Sequence, residues 1–393
     1  MIVGGGVLGA ATACFLARDH GAAVTVLERD PSHRQASSAL SASSIRQQFS
    51  TPINIALSLA SVAFLRRVGD ELAVDGEPPA IGLVEAGYLV LATDAGAARL
   101  RANHALQQAH GADIEWLHPA ALRARWPWLS TNGLAAGTHG RRGEGWFDGP
   151  ALHAAFQRKA RACGARFLHA EAQTFETQGG CVTAVLDAAG QRHAADALVI
   201  AAGAWSAPLA AALGLALPVS AKKRDVFVLD SPARLPGCPL IVDPSGVWMR
   251  PEGTGFIAGA PPRQRGDVSD VGDVSDPDDV PLDAIDHGLF DDVIWPALAA
   301  RIPAFEALRV RSAWAGYYEM NSFDHNGVVG AVPAWRNAFI NCGFSGHGMQ
   351  QAPTVGRALA ARIATGHWLD LDLAPLGPER LQRGHPLIEH NVI

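Results

Sequence analysis

Two clusters of small residues, at opposite ends of the chain, have the types and spacing to hold a large anionic cofactor. The first is Gly4-x-Gly6-x-x-Gly9 in "IVGGGVLGAA". Glycines at this spacing permit a tight turn and a close backbone approach to a pyrophosphate, whose charge then sits at a helix N-terminus. Glu28 comes 28 − 9 = 19 residues after the last of them. There a carboxylate can accept hydrogen bonds from an adenosine ribose. This reads as a dinucleotide site for NAD or FAD; the alternative is a Gly-rich turn in a parallel sheet. The second cluster, "NCGFSGHGMQQAP" from Asn341 to Pro353, opens a helix near the end of the chain. A bare NAD dehydrogenase would not need it.

The elements that must position these clusters follow from periodicity and breakers. A stub of strand at Met1 to Val3, a helix from Val7 to Arg18 with Gly21 past its end, and the apolar strand "AAVTVLER" make a β-α-β unit. A Ser-rich stretch, "SHRQASSALSASS", sits between strand and helix; that position favours a functional loop over a linker. "PINIALSLASVAFLRRV" reads as an amphipathic helix, and the last helix runs from near Met349 to about Thr365. "RDVFVLD", "GVWMRPEGTGFIAGA" and Arg309 to Tyr318 suggest a separate antiparallel sheet. The fold class is therefore α/β, α+β overall: a Rossmann-like nucleotide domain from 1–78, 142–215 and 322–393, interleaved with a substrate or cap domain from 79–141 and 216–321.

With 393 residues, 48% apolar and 18% charged, the chain can bury two cores. A net charge of −6 argues against nucleic-acid and anionic-membrane partners. No apolar run is long enough for a membrane span. "MIVGGG" has no basic region ahead of an apolar stretch, so no cleaved signal is expected, although the first strand is short for a central one. Five scattered cysteines without CxxC or metal-ligand spacing suggest reduced thiols, a cytoplasmic location and no metal. The repeated "GDVSD" reads as a solvated acidic loop rather than a calcium site, because it lacks a spaced acidic ladder closed by Glu. Lys222 and Lys223 read as a solvated edge, and Asp324 as a turn residue.

"IVGGGVLGAATACFLA", "VTVLERD", "ALVIAAGAWS" and "GFSGHGMQQAPTVGRALA" together resemble the D-amino-acid oxidase superfamily of FAD enzymes, in its sarcosine oxidase, dimethylglycine dehydrogenase and glycine oxidase branch. "QASSALSASSIRQQFS", "WAGYYEMNSFDHNGVVG" and the terminal "NVI" further resemble mitochondrial FAD-dependent oxidoreductase-domain proteins linked to respiratory-complex assembly. The resemblance implies that Gly346, His347, Gly348, Met349 and Gln350 meet the flavin ring, where a helix N-terminus favours the negative charge of the reduced form. It implies cofactor contacts from Gly4, Gly6, Val7, Leu8, Gly9, Glu28 and Arg29. The loop residues Ser37, Ser38, Ser44, Arg46 and Gln47 would add more, as would Ala172 near the adenine and Ala202, Gly203 and Trp205 in "AAGAWS". Arg46 matches a family arginine that clamps a substrate carboxylate with two hydrogen bonds.

Three positions depart from the sarcosine oxidase pattern. Gln350 stands where a lysine would be the second carboxylate partner. Gly316 stands where a cysteine would attach the flavin, so FAD is expected to be non-covalent. Ile257 falls near the place of a lysine that promotes oxygen reduction, which tilts the expectation toward a dehydrogenase. Trp248, Met249, Tyr317 and Tyr318 line an apolar pocket over the ring or are plain core; Trp248 and Tyr318 join Arg46 and Gln350 as candidate catalytic residues. The resulting expectation is an FAD enzyme oxidising the C–N bond of a secondary, N-methylated or D-amino acid, with oxygen or a carrier as electron acceptor. The alternative is a weakly catalytic or non-catalytic FAD-binding assembly factor for a respiratory complex.

Overall fold

The computed structural model describes residues 1–262 and 279–391. The "GDVSD" repeat, at 266–270 and 272–276, lies outside the described residues, as do the last two residues of "NVI".

Two large sheets organise the chain. The first has six strands, in the order Val328–Ala331, Ala338–Cys342, Leu198–Ile200, Ile2–Val3, Thr25–Glu28 and Arg166–His169. All its pairs are parallel except the first. The two-residue strand Ile2–Val3 is central, and its register, Ile2 to Val199 and to Val26, is set on both sides. Helix Val7–His20 follows directly and is buried from Val7 through Ala17, so no polar stripe is needed. It runs two residues beyond the expected end, to Gly21, whose N–H bonds the Leu16 carbonyl. Gly9 lets it approach the strand: a Cβ there would stand 2.0 Å from the Gly4 carbonyl oxygen. The final long helix, Gly348–Thr365, packs against it in the same core.

The second sheet has eight strands: Arg309–Asn321, Val219–Asp230, Gly255–Gly259, Trp248–Glu252, Leu240–Val242, Tyr88–Ala92, Ala136–Gly140 and Ile114–Leu117. It is antiparallel except where Leu240–Val242 runs parallel to Tyr88–Ala92. Side chains alternate between its faces. Leu89, Met249, Phe227 and Phe256 join Leu122 and Leu298 of two covering helices in one core, while Tyr88, Trp248 and Arg250 face a cavity. Met249 is thus core rather than pocket wall. Lys222 is 8% exposed, not a solvated edge: it pairs with Tyr318 in the neighbouring strand, and the Asp279 N–H bonds the adjacent Ala221 carbonyl. Lys223 pairs with Asp225 at 2.6 Å.

Asp324 closes the turn after Arg309–Asn321 and also holds the C-terminal segment. It is 2% exposed, accepts from Arg380 Nε at 2.7 Å and takes the main-chain N–H groups of Asn326 and Leu387. No described helix is long and apolar enough to cross a membrane. All five cysteines are free, and burial pushes the thiols of Cys14 and Cys238 up to about 12.

Candidate active site

A cavity of about 570 Å³ lies where the two sheets meet, and both glycine clusters open into it. Its wall at one end carries Gly4, Gly6, Val7, Leu8, Glu28 and Arg29, with Ala172, Ala202, Gly203 and Trp205 nearby. Arg29 lies over the Trp205 ring, 4.1 Å from its centroid. At the other end are Gly346, His347, Gly348, Met349 and Gln350, facing Tyr318 and Trp248; Ser37, Ser38, Ser44 and Arg46 also line the cavity. Two expected contacts fall off this wall. Gly9 is spent on helix–strand packing. Gln47 turns away: its amide donates to the Gly143 carbonyl, and its N–H bonds Glu144.

The local chemistry follows from the chain geometry. The Glu28 carboxylate accepts from the Gly5 N–H at 2.7 Å and the Asp30 N–H at 2.8 Å, which fixes it at the strand end with lone pairs to spare. Ser38 Oγ accepts from the Val7 N–H at 2.9 Å, tying the Ser-rich loop to the first helix N-terminus. At the late helix, His347 is the N-cap and makes no side-chain cap bond. The first-turn N–H groups therefore have no partner within the helix. Gly346 has φ +92°, and a Cβ there would meet the Tyr318 ring at 2.3 Å, so both backbone and packing demand glycine.

Buried titratable groups crowd this end. His347 is 2% exposed with Nε2 unpartnered. Burial first and the Arg46 charge second push its pKa down to about 3, so the ring is neutral. Glu319 lines the cavity with Oε2 unpartnered, and burial pushes its carboxyl up to about 7. Behind the wall, Glu144 holds the N–H groups of Gln47 and Gln48 and is likewise pushed up to about 7 by burial. Arg46 and Gln350 are joined, the Arg46 N–H donating to Gln350 Oε1 at 2.9 Å. The Arg46 guanidinium donates to the carbonyls of Gln48 and Asn391 and stacks 4.2 Å over Phe49.

These residues fit FAD. A glycine turn with a helix N-terminus suits the diphosphate, and a fixed carboxylate suits the ribose. A second uncapped helix N-terminus, beside the orphaned atoms of His347 and Glu319, suits a polar ring and its side chain. A family model described as DAO, FAD dependent oxidoreductase, matches residues 1–362. The chain belongs to the DAO family of FAD-dependent oxidoreductases. Among relatives of this DAO chain, the FAD-dependent oxidoreductase domain-containing protein 1 of Xenopus laevis is 39% identical over 431 residues, covering 100% of this chain and 84% of that protein. Glycine oxidase from Geobacillus kaustophilus is 28% identical over 96% of each chain. The L-proline dehydrogenase of P. horikoshii shares the fold, with a TM-score of 0.83 at 24% identity over 98% of each chain. FAD is the cofactor, and the Rossmann-like sheet with its antiparallel companion is the DAO architecture.

Arg250, Glu319, Tyr88 and Arg224 also line the cavity and were not foreseen. Arg250 was within reach of the sequence: two residues past Trp248 on a strand, it must share the Trp248 face. Glu319 gave no such signal.

Proposed function

We propose that the chain oxidises the C–N bond of a small amino acid whose nitrogen is secondary or N-methylated, or whose α-carbon has the D configuration. The observation that carries this reading is one cavity that the late helix N-terminus shares with Trp248, Tyr318 and an arginine-bearing sheet. Bound FAD supplies a hydride acceptor at its N5 atom. The residues of the chain do the rest. Gly346 to Gln350 hold the ring edge, Trp248 and Tyr318 enclose the apolar part of the substrate, and the cationic wall meets its carboxylate. Arg46 and Gln350 belong to that wall; the bond between them leaves the Gln350 amide nitrogen to donate. His347, kept neutral, can serve there without adding charge.

The glycine oxidase relative supports an amino-acid substrate. The division of labour follows the segments read from sequence, with 1–78, 142–215 and 322–393 carrying FAD and 79–141 and 216–321 covering the substrate. FAD is held without a covalent bond: a Cβ at Gly316 would stand 3.0 Å from Leu40 Cβ, leaving little room for an attaching side chain. Ile257 is 1% exposed, and a dehydrogenase passing electrons to a carrier is favoured over an oxidase on that ground. The test is anaerobic mixing of the purified yellow protein with a panel of N-methyl and D-amino acids. Bleaching of the oxidised-flavin absorbance by at least one is expected. No bleaching by any would overturn the enzyme reading in favour of an FAD-holding assembly role.

A further inference from the structure

We propose that Glu389, carried in by the C-terminal segment, is a positioning residue for the ring end of the FAD site and leaves the diphosphate end untouched. Between Gln382 and Asn391 it is the one buried residue, at 0% exposure, while its neighbour Ile388 is 46% exposed. A segment that turns an isoleucine outward and a carboxylate inward reverses the ordinary preference, because a buried charge loses its hydration and must find partners.

The partners are supplied by distant parts of the chain. Oε1 accepts from the Ser50 N–H at 2.8 Å, the Ser50 hydroxyl at 2.6 Å and the Asn391 N–H at 3.0 Å. Oε2 accepts from the Thr51 hydroxyl at 2.9 Å and the Asn54 amide at 3.0 Å. Burial acts to raise the pKa of this carboxyl, but the bonds from Ser50, Asn54 and Asn391 outweigh it and hold the group below its ordinary range, so it is ionised. Donors crowded on both oxygens call for an acceptor-only group, which a carboxylate is and an amide is not.

Two routes lead from Glu389 to the first turn of the helix Gly348–Thr365. The first is the loop after Ser44, which ends at Ser50 and Thr51. Thr51, at the N-cap of helix Pro52–Leu65, makes no cap bond and donates its hydroxyl to Glu389 instead. Within that loop the Arg46 N–H donates to Gln350 Oε1, and the Phe49 ring meets His347 edge-on with centroids 5.3 Å apart. Asn391 holds the loop from outside, its amide donating to the Gln48 carbonyl at 3.0 Å. The second route is Asn54, 1% exposed, whose Oδ1 accepts from Gln351 Nε2 at 3.2 Å. Gln350 and Gln351 are consecutive, so both routes end on one helical turn. The Glu389 charge also acts at His347, where it opposes burial and Arg46. The diphosphate end is built from other bonds, those of Glu28 to the Gly5 and Asp30 N–H groups and of Ser38 to the Val7 N–H. Loss of Glu389 therefore lowers the fraction of molecules whose ring end is assembled, and apparent affinity falls by that fraction for a ligand that needs the ring end.

The test uses the FAD-loaded protein. Free flavin after dilution gives the FAD Kd, and displacement of FAD by added ADP, which reaches only the diphosphate end, gives the ADP Kd. Glu389→Gln keeps the shape but turns one accepting oxygen into a donor. It should raise the FAD Kd by roughly ten- to a hundredfold, leave the ADP Kd within about twofold and shift the absorbance of the bound flavin. Thr51→Val deletes one donor and keeps the carboxylate; it should raise the FAD Kd about two- to tenfold with the ADP Kd again unchanged. If Glu389→Gln does not fold, Thr51→Val decides alone. FAD and ADP affinities that fall together make Glu389 a general scaffold residue and overturn the proposal. So does an FAD Kd that stays at the wild-type value. Neither measurement involves turnover: a failure here leaves the amine-oxidising reading standing, and a flavin that no amine bleaches leaves the positioning role standing.

Discussion

Gly346→Ala separates two physical reasons for one glycine, and their sizes can be worked out beforehand. At φ +92° an alanine pays for a left-handed backbone, roughly 1–2 kcal/mol. Its Cβ also falls 2.3 Å from Tyr318 Cε2, an overlap that costs about 1–3 kcal/mol where neighbours must yield. The loop relaxes by leaving the conformation that faces the flavin, so the cost should be read in cofactor affinity. The sum, roughly 2–5 kcal/mol, raises the FAD Kd about thirtyfold to several thousandfold. In a Tyr318→Ala background the overlap is gone and only the backbone cost survives, leaving an effect of about five- to thirtyfold. The assay is fluorescence titration of FAD into apoprotein for the four proteins of the cycle, which isolates the pairwise part. An equal effect of Gly346→Ala in both backgrounds would refute the steric argument, and no effect in either would remove the late loop from the cofactor site.

Three other outcomes are expected. Gly6→Val should abolish FAD retention, since even its Cβ stands 3.1 Å from Ser38 Oγ and the branched side chain reaches into the diphosphate turn; a variant purified fully yellow contradicts that assignment. Glu319→Gln should flatten stability between pH 4.5 and 7. The wild-type carboxyl is raised to about 7 in the fold, so it binds more protons than the unfolded chain in that window and stability falls as pH rises, by about 3 kcal/mol; denaturation curves with identical pH slopes would show that Glu319 ionises freely. Asp324→Ala should destabilise the protein by about 3–5 kcal/mol, because it strands the Arg380 charge, 8% exposed, in the interior; urea midpoints within a few tenths of a molar of wild type would count against it.

How far the sequence could be read depended on the distance between partners. The diphosphate turn was legible because strand, helix and Glu28 follow within about 30 residues and each glycine has a local reason. The Trp248 face was half legible: strand period separates Trp248 from Met249, but which side is core depends on the Trp295–Arg301 helix that covers it. Lys222 was misread because what covers it, Tyr318 across the ladder and the chain at Asp279 beside Ala221, lies far along the sequence. Gln47 was misplaced because Glu144, 97 residues away, takes its N–H and a neighbouring carbonyl takes its amide.

The Arg46 loop shows why such contacts decide function as well as fold. Glu389 is fully buried and accepts from the Ser50 N–H, the Ser50 hydroxyl, the Thr51 hydroxyl and the Asn54 amide. Asn391 takes the Arg46 guanidinium on its carbonyl, more than 340 residues along the chain. Each contact satisfies a group that would otherwise be stranded, so the C-terminal segment and the loop after Ser44 hold each other in place. An arginine recruited to such a clasp has a fixed position and few donors left. The packing of the C-terminal segment thus commits the terminal nitrogens of Arg46 to main-chain carbonyls of the fold.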